Sequence, residues 1–74
     1  MENRAVVHGM IEKAIERPIR DGDDFFVVGG DSLAIVEICS AIDLQYGVEI
    51  DPSLFYVPGN IGSLIEKIVA AITD

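Results

Sequence analysis

Three stretches of the chain place apolar residues at positions i, i+3, i+4 and i+7, the spacing of one face of an α-helix. These stripes consist of Val7, Met10, Ile11 and Ala14 in the first stretch, Ile35, Ile38, Cys39 and Ile42 in the second, and Ile61, Leu64, Ile65, Ile68, Val69 and Ile72 in the third. The pattern predicts helices over about residues 2–17, 32–46 and 60–72. Because no helix can bury its stripe alone, the three stripes must face one another, and we predict an all-α fold.

The predicted helix ends agree with the residue types found there. Pro18 follows the first stripe, and the residue before a proline avoids the helical region of backbone space. Gly47 suits the C-terminal end of the second helix. Asn60 is a good N-cap for the last helix, because its side chain can accept a hydrogen bond from a free backbone N–H.

The connection between the second and last helices is predicted to contain a further short helix. The segment Asp51-Pro52-Ser53 can start it, with proline in the first turn, and residues 54–57 would form it. The expected architecture is therefore a small four-helix bundle, made of three amphipathic helices and one short third helix. We expect one domain over residues 1–74.

The stretch before the second helix joins an apolar run to a glycine pair. Phe25-Phe26-Val27-Val28 could be a strand, but the chain offers no second strand to pair with it. We expect a loop in which one or both phenylalanines plug the helical core. Gly29 and Gly30 allow a tight turn with positive φ.

Ser32 is expected at the start of the second helix, with its hydroxyl facing water. Asp31 or Ser32 can act as the N-cap. Free backbone N–H groups and the positive end of the helix dipole favour an attached or bound phosphate at such a position.

Charge is unevenly distributed along the chain. Thirteen acidic and five basic residues give a formal net charge of −8. No basic residue occurs between Arg20 and Lys67, so the surface around Ser32 should be negative. Such a surface repels nucleic acid and anionic membranes, and it attracts basic protein partners. Leu33 and Val36 stand off the apolar stripe and favour a small docking surface beside Ser32.

Composition limits the chemistry. Seventy-four residues leave no room for a large catalytic cleft. The lone Cys39 excludes an internal disulfide, and no apolar run is long enough to span a bilayer, so we expect a cytoplasmic protein. Cys39 lies on the stripe and should be a small buried hydrophobe. His8 is the only histidine, so we expect it to be structural or on the surface, and we predict no metal site.

The string Gly30-Asp31-Ser32-Leu33 permits an enzyme hypothesis, because it matches the nucleophile motif of GDSL-type hydrolases. A serine nucleophile needs a base within hydrogen-bond reach, and no histidine follows Ser32 in the chain. A third hypothesis is an acidic helical adaptor in which Ser32 only caps the helix.

The chain resembles a phosphopantetheine carrier protein, most closely a peptidyl (thiolation) carrier of nonribosomal peptide synthetases. Residues 25–33, which read Phe-Phe-x-x-Gly-Gly-Asp-Ser-Leu in outline, are similar to the signature of that family. Residues 47–50 and 54–61 resemble the end of its second helix and its short third helix with the entry to the fourth. The resemblance covers essentially the whole chain.

The resemblance implies that Ser32 carries 4′-phosphopantetheine from coenzyme A, within a site that includes Gly30 and Asp31. The thiol of this group would hold an aminoacyl, peptidyl or acyl intermediate as a thioester, and the domain itself would be no enzyme. The partner-binding residues implied are Leu33, Val36, Glu37, Phe55 and Tyr56.

The partners implied are a phosphopantetheinyl transferase, an adenylation enzyme, and condensation, tailoring or thioesterase enzymes. The net charge of −8 keeps an acyl carrier of a polyketide or fatty-acid pathway open as the alternative. Met1 and Asp74 closely bracket the domain, from which we expect a free-standing carrier, and a monomer is the default for so small an acidic domain.

Overall fold

A computed structural model describes residues 3–73 and contains three α-helices and one short 3₁₀ helix in that range. The α-helices are α1 (Asn3–Ile15), α2 (Ser32–Tyr46) and α3 (Ile61–Thr73), and the 3₁₀ helix η1 (Pro52–Tyr56) lies between α2 and α3. Residues 3–73 include no β-strand, so the all-α prediction is confirmed for them. The predicted helix start at residue 2 and the domain ends at residues 1 and 74 lie outside the described residues.

The first helix ends earlier than predicted. It stops at Ile15, because Glu16 adopts the left-handed conformation with φ 65°. The Arg17 backbone N–H then donates to the Glu12 carbonyl at 3.3 Å, which is the 6→1 hydrogen bond of a Schellman-type helix end. Pro18 disfavours helical backbone at Arg17, which already lies beyond this boundary, so the boundary is set by Glu16.

The remaining helix ends follow the predicted capping residues. Gly47 ends α2 with φ 69°, and its N–H donates to the Asp43 carbonyl at 2.7 Å. The Asn60 side chain accepts a hydrogen bond from the Ser63 N–H at 2.9 Å and caps α3. Asp51 caps η1 in the same way, through the Ser53 N–H at 3.0 Å.

The three apolar stripes meet in one core, as predicted. Its buried side chains are Val7, Ile11, Ile19, Phe25, Val28, Ala34, Ile35, Ile38, Ile42, Ile50, Phe55, Ile61, Leu64, Ile65 and Ile68. Met10, Ala14 and Cys39 are only partly buried and pack against this core. Cys39 is therefore less buried than expected. The Tyr46 hydroxyl donates to Asn3 Oδ1 at 3.3 Å, so the end of α2 lies beside the start of α1 and the two helices are antiparallel.

The loop between α1 and α2 is hydrogen-bonded to both neighbouring helices. On the α1 side, the Glu12 carboxylate accepts the Ile19 N–H at 3.0 Å, and His8 Nε2 lies 3.2 Å from the Ile19 carbonyl oxygen. On the α3 side, the N–H groups of Ile61 and Gly62 donate to loop carbonyls at 2.8 and 2.9 Å. These contacts fix the loop that leads into α2.

Candidate functional site

Ser32 is the first residue of α2, and its side chain is exposed. Its hydroxyl has no hydrogen-bond partner among residues 3–73. The neighbouring Asp31 is the N-cap, with Oδ1 accepting the Ala34 N–H at 2.9 Å. This bond uses the third N–H of the helix, and the Ser32 and Leu33 N–H groups find no acceptor in the described part of the chain. An oxyanion attached to Ser32 would therefore meet free donors at the positive end of α2.

The glycine pair positions this helix start in two different ways. Gly29 has φ 113°, a conformation that side-chain-bearing residues rarely adopt. Gly30 does not have positive φ, which corrects the expectation that both glycines serve the backbone turn. A Cβ on Gly30 would overlap the ring of Phe25, and the Gly30 N–H donates to the Phe25 carbonyl at 2.8 Å. Gly30 thus makes room for the ring that anchors the loop, and it supports the site through packing.

The two adjacent phenylalanines lie in different environments, one in the core and the other at the surface. Phe25 is buried and packs against Phe55, with ring centroids 5.3 Å apart. Phe26 is partly exposed and packs edge-on against Phe25 at 5.1 Å. Asp24 Oδ1 accepts the Phe26 and Val27 N–H groups at 2.9 and 3.1 Å, which fixes the turn between the two rings. One phenylalanine therefore plugs the core, and it does so directly beneath Gly30.

Comparison with known protein families identifies the family of the chain. The model of the family described as "Phosphopantetheine attachment site" matches residues 5–68. The chain belongs to this family. No curated protein and no solved structure matches the chain.

Members of the family carry a covalently attached 4′-phosphopantetheine, and this cofactor prediction is confirmed. The residues around Ser32 fit the group, because a phosphodiester needs an accessible hydroxyl for attachment and donors for its oxygens. Both are present at the start of α2. Phosphopantetheine carrier domains are generally non-catalytic and work with a transferase and partner enzymes.

The carrier presents an apolar surface beside Ser32, as predicted. Leu33 and Val36 are 65% and 63% exposed, although both are large apolar residues. Glu37 is exposed next to them. Their role in partner binding stays a prediction.

The two aromatic residues of η1 that are predicted to bind partners differ in exposure. Tyr56 is 61% exposed and stacks on Phe26, with ring centroids 5.3 Å apart. Phe55 is only 3% exposed, and its placement on the partner-binding surface is wrong. It faces inward because η1 needs one apolar anchor, which packs against Phe25.

Two surface residues escaped the sequence analysis. Phe26 and Val27 are exposed, and the Phe26–Tyr56 stack joins the loop to η1. A usable signal existed, because two adjacent residues on a tight turn point in different directions and cannot both enter the core.

The carrier's surface before Ser32 is less uniformly negative than the base-free stretch indicated. Arg17 Nη1 donates to the Val28 carbonyl at 3.4 Å, so a cation from the end of α1 lies against the loop. Sequence distance conceals this contact, because residues 17 and 28 are brought together only by the fold.

The remaining polar groups of the described chain show no sign of a second site. Burial raises the pKa of the Cys39 thiol, and the charge of Asp51 adds to that effect. A hydrogen bond from the Ser53 backbone N–H lowers the pKa of Asp51. Within residues 3–73, no group of three or more His, Cys, Asp or Glu side chains could hold a metal ion, and no helix is long and apolar enough to cross a membrane.

Proposed function

We propose that Ser32 is the residue that carries 4′-phosphopantetheine, and that the protein is a peptidyl or aminoacyl carrier. The observation that carries the proposal is the exposed Ser32 hydroxyl at the start of α2, which has no hydrogen-bond partner within residues 3–73 and lies inside the matched range. When attached, the group supplies a flexible arm whose terminal thiol holds the intermediate as a thioester.

The other serines are less suitable for attachment. Ser63 is half-buried, and its hydroxyl accepts a hydrogen bond from Lys67 Nζ at 3.0 Å. Ser40 lies within α2, where no free N–H groups are available. Ser53 is exposed, but it belongs to η1, which has only five residues. Ser32 alone combines exposure with the N-terminus of a long helix.

The peptidyl branch is supported by the residues that precede Ser32. The Phe-Phe-x-x-Gly-Gly-Asp-Ser-Leu pattern is similar to the signature of peptidyl carriers, and α2 contains only Glu37 and Asp43 as acidic residues. A fatty-acid carrier typically presents more acidic residues on this helix. The net charge of −8 favours the alternative, an acyl carrier of a polyketide or fatty-acid pathway.

The chain's own residues bind and present, and they perform no step of the chemistry. The helix start holds the phosphate end of the arm, while Leu33, Val36 and Tyr56 offer apolar contacts to a visiting enzyme. The proposed partners are a phosphopantetheinyl transferase, an adenylation enzyme, and condensation, tailoring or thioesterase enzymes.

A charging assay tests the function and its branch. The phosphopantetheine-loaded (holo) protein is offered amino acids with ATP and a promiscuous adenylation enzyme, and separately malonyl-coenzyme A with an acyltransferase. We expect an aminoacyl thioester that hydroxylamine releases, and none on Ser32→Ala. Charging by the acyltransferase alone would assign the acyl branch. No charging of holo protein by either enzyme, while a control carrier is charged by both, would contradict the carrier function.

The esterase hypothesis is tested separately. The purified unmodified protein should hydrolyse a chromogenic ester no faster than Ser32→Ala does. Hydrolysis that depends on Ser32 would instead support a minimal GDSL-type enzyme.

A further inference from the structure

A phosphodiester on Ser32 would be an anion in a region already rich in carboxylates. Asp24 and Asp31 lie within eight residues before it in the chain, and Glu37 follows on the exposed surface of α2. The helix N–H groups offset part of this repulsion, but they carry only partial charge. A full positive charge near Ser32 would hold the phosphate end more firmly.

The antiparallel packing of α1 and α2 places Arg17 at the same end of the bundle as Ser32. Asn3 and Tyr46 pair at the opposite end, where their side chains are 3.3 Å apart. Arg17 is 14 residues after Asn3, and Ser32 is 14 residues before Tyr46. Both helices rise by about 1.5 Å per residue, so Ile15, the last residue of α1, comes out nearly level with Ala34, and Arg17 follows two residues beyond the end of α1.

Two further contacts agree with this register. Met10 and Ala14 of α1 line one groove with Glu37 and Ala41 of α2. At the end of α1, a Cβ built on Gly29 would lie 3.5 Å from Ile15 Cγ2. The end of α1 therefore lies directly against the turn that leads into Ser32.

The Arg17 guanidinium is available for an anion. It is exposed, and its single hydrogen bond in the described range is the long one to the Val28 carbonyl, at 3.4 Å. No carboxylate of residues 3–73 lies within 4.0 Å of it, whereas Arg4 pairs with Asp21 at 2.8 Å. A guanidinium presents several N–H donors in one plane and can bind phosphate oxygens in a bidentate manner.

We propose that Arg17 is a binding residue for the phosphodiester that Ser32 carries. The inference rests on the proposed function, because it requires attachment at Ser32. In the unmodified (apo) protein, the guanidinium lies on the Val28 carbonyl. In the holo protein, it binds the phosphate oxygens and restrains the first bonds of the arm at this end of the bundle. The contact is exposed, so it weakens as salt increases.

The test compares apo and holo forms of wild type, Arg17→Gln, Arg17→Lys and Arg20→Gln. Arg20 is the matched control, because it is an exposed arginine of the same loop whose hydrogen bond to Asp23 uses the backbone N–H. Intact mass first establishes modification of each protein. The ³¹P chemical shift of the holo form and the difference in unfolding equilibrium between holo and apo forms are then measured at low and high salt. The holo–apo difference reports how far the phosphate contact of Arg17 exceeds the Val28 contact that it replaces.

We expect Arg17→Gln to change the ³¹P shift and to raise the holo-over-apo ratio of unfolding equilibrium constants by about threefold at low salt, the range of an exposed ion pair. Arg20→Gln should match wild type, and Arg17→Lys should retain part of the effect. A ³¹P shift and a holo–apo difference that are the same in all four proteins would overturn the Arg17 contact alone. Failure of the wild-type chain to gain phosphopantetheine would overturn the proposed attachment as well.

Discussion

Both faces of α2 carry large apolar residues, but those residues have different roles on the two faces. The inner face contributes Ala34, Ile35, Ile38 and Ile42 to the core, and all four are buried. The outer face carries Leu33, Val36 and Leu44, which are exposed although they are just as apolar. Hydrophobicity alone therefore does not separate core from surface on this helix, whereas the helical period does. The inner face stabilises the fold. The first turns of the outer face place apolar side chains beside Ser32, where we propose that partners bind.

The largest difference between the faces should appear in stability. Ile38→Ala removes a side chain with no exposed surface and should lower the free energy of unfolding by about 2–5 kcal/mol. Leu44→Ala, at a position 88% exposed, should change it by less than about 0.5 kcal/mol. Urea denaturation of the two variants checks this. Equal losses would show that α2 packs in a different orientation.

The link between the inner face and the site is tested at Gly30. Gly30→Ala forces a Cβ into the space of the Phe25 ring, so the ring or the helix start must shift. We expect a loss of about 1–3 kcal/mol, the usual cost of overpacking. Gly22→Ala is the control, because no non-adjacent atom of the described chain lies within 4 Å of the position of its Cβ. If both variants unfold at the same urea concentration, the packing account of Gly30 is wrong.

At the start of the helix, adjacent residues should separate capping from attachment. Asp31→Ala removes the bond to the Ala34 N–H and should cost about 1 kcal/mol of stability. Ser32→Ala removes no hydrogen bond of the described chain and should cost less, while abolishing modification. This comparison also addresses the adaptor hypothesis, in which Ser32 is the cap. A larger loss for Ser32→Ala than for Asp31→Ala, measured by thermal and urea unfolding, would favour that hypothesis.

The smallest effect on stability is expected on the outer face beside Ser32. Val36→Asp places a charge at an exposed position and should change the free energy of unfolding by no more than about 0.5 kcal/mol. It should nevertheless slow loading by the transferase, because the apolar patch is interrupted. Leu44→Asp adds the same charge further along α2 and serves as the control. Unchanged loading rates in both variants would remove Val36 from the docking surface.

Local patterns were sufficient to predict most of the fold. The period of the stripes, and the capping residues Gly47 and Asn60, act within one helix and were read correctly. The end of α1 was predicted two residues late, because Glu16 takes a left-handed conformation without being a glycine. No local composition rule signals that choice.

The site was predictable as far as it is local. Ser32 and its exposed neighbours follow from their place on α2. The burial of Phe55 and the contact between Arg17 and Val28 depend on segments that are distant in sequence, and the space at Gly30 depends on how the loop folds Phe25 back against it. Such tertiary contacts leave no mark on the spacing of residues within one segment.

Attachment at Ser32 is the central claim, and peptide mapping of the wild-type chain tests it most directly. The protein is incubated with a promiscuous phosphopantetheinyl transferase, magnesium and coenzyme A, then digested, and the modified serine is located by mass spectrometry. We predict that Ser32 carries all of the added phosphopantetheine, and that Ser40, Ser53 and Ser63 carry none. Modification of another serine, or no modification of a folded protein while a control carrier is loaded, would contradict the account.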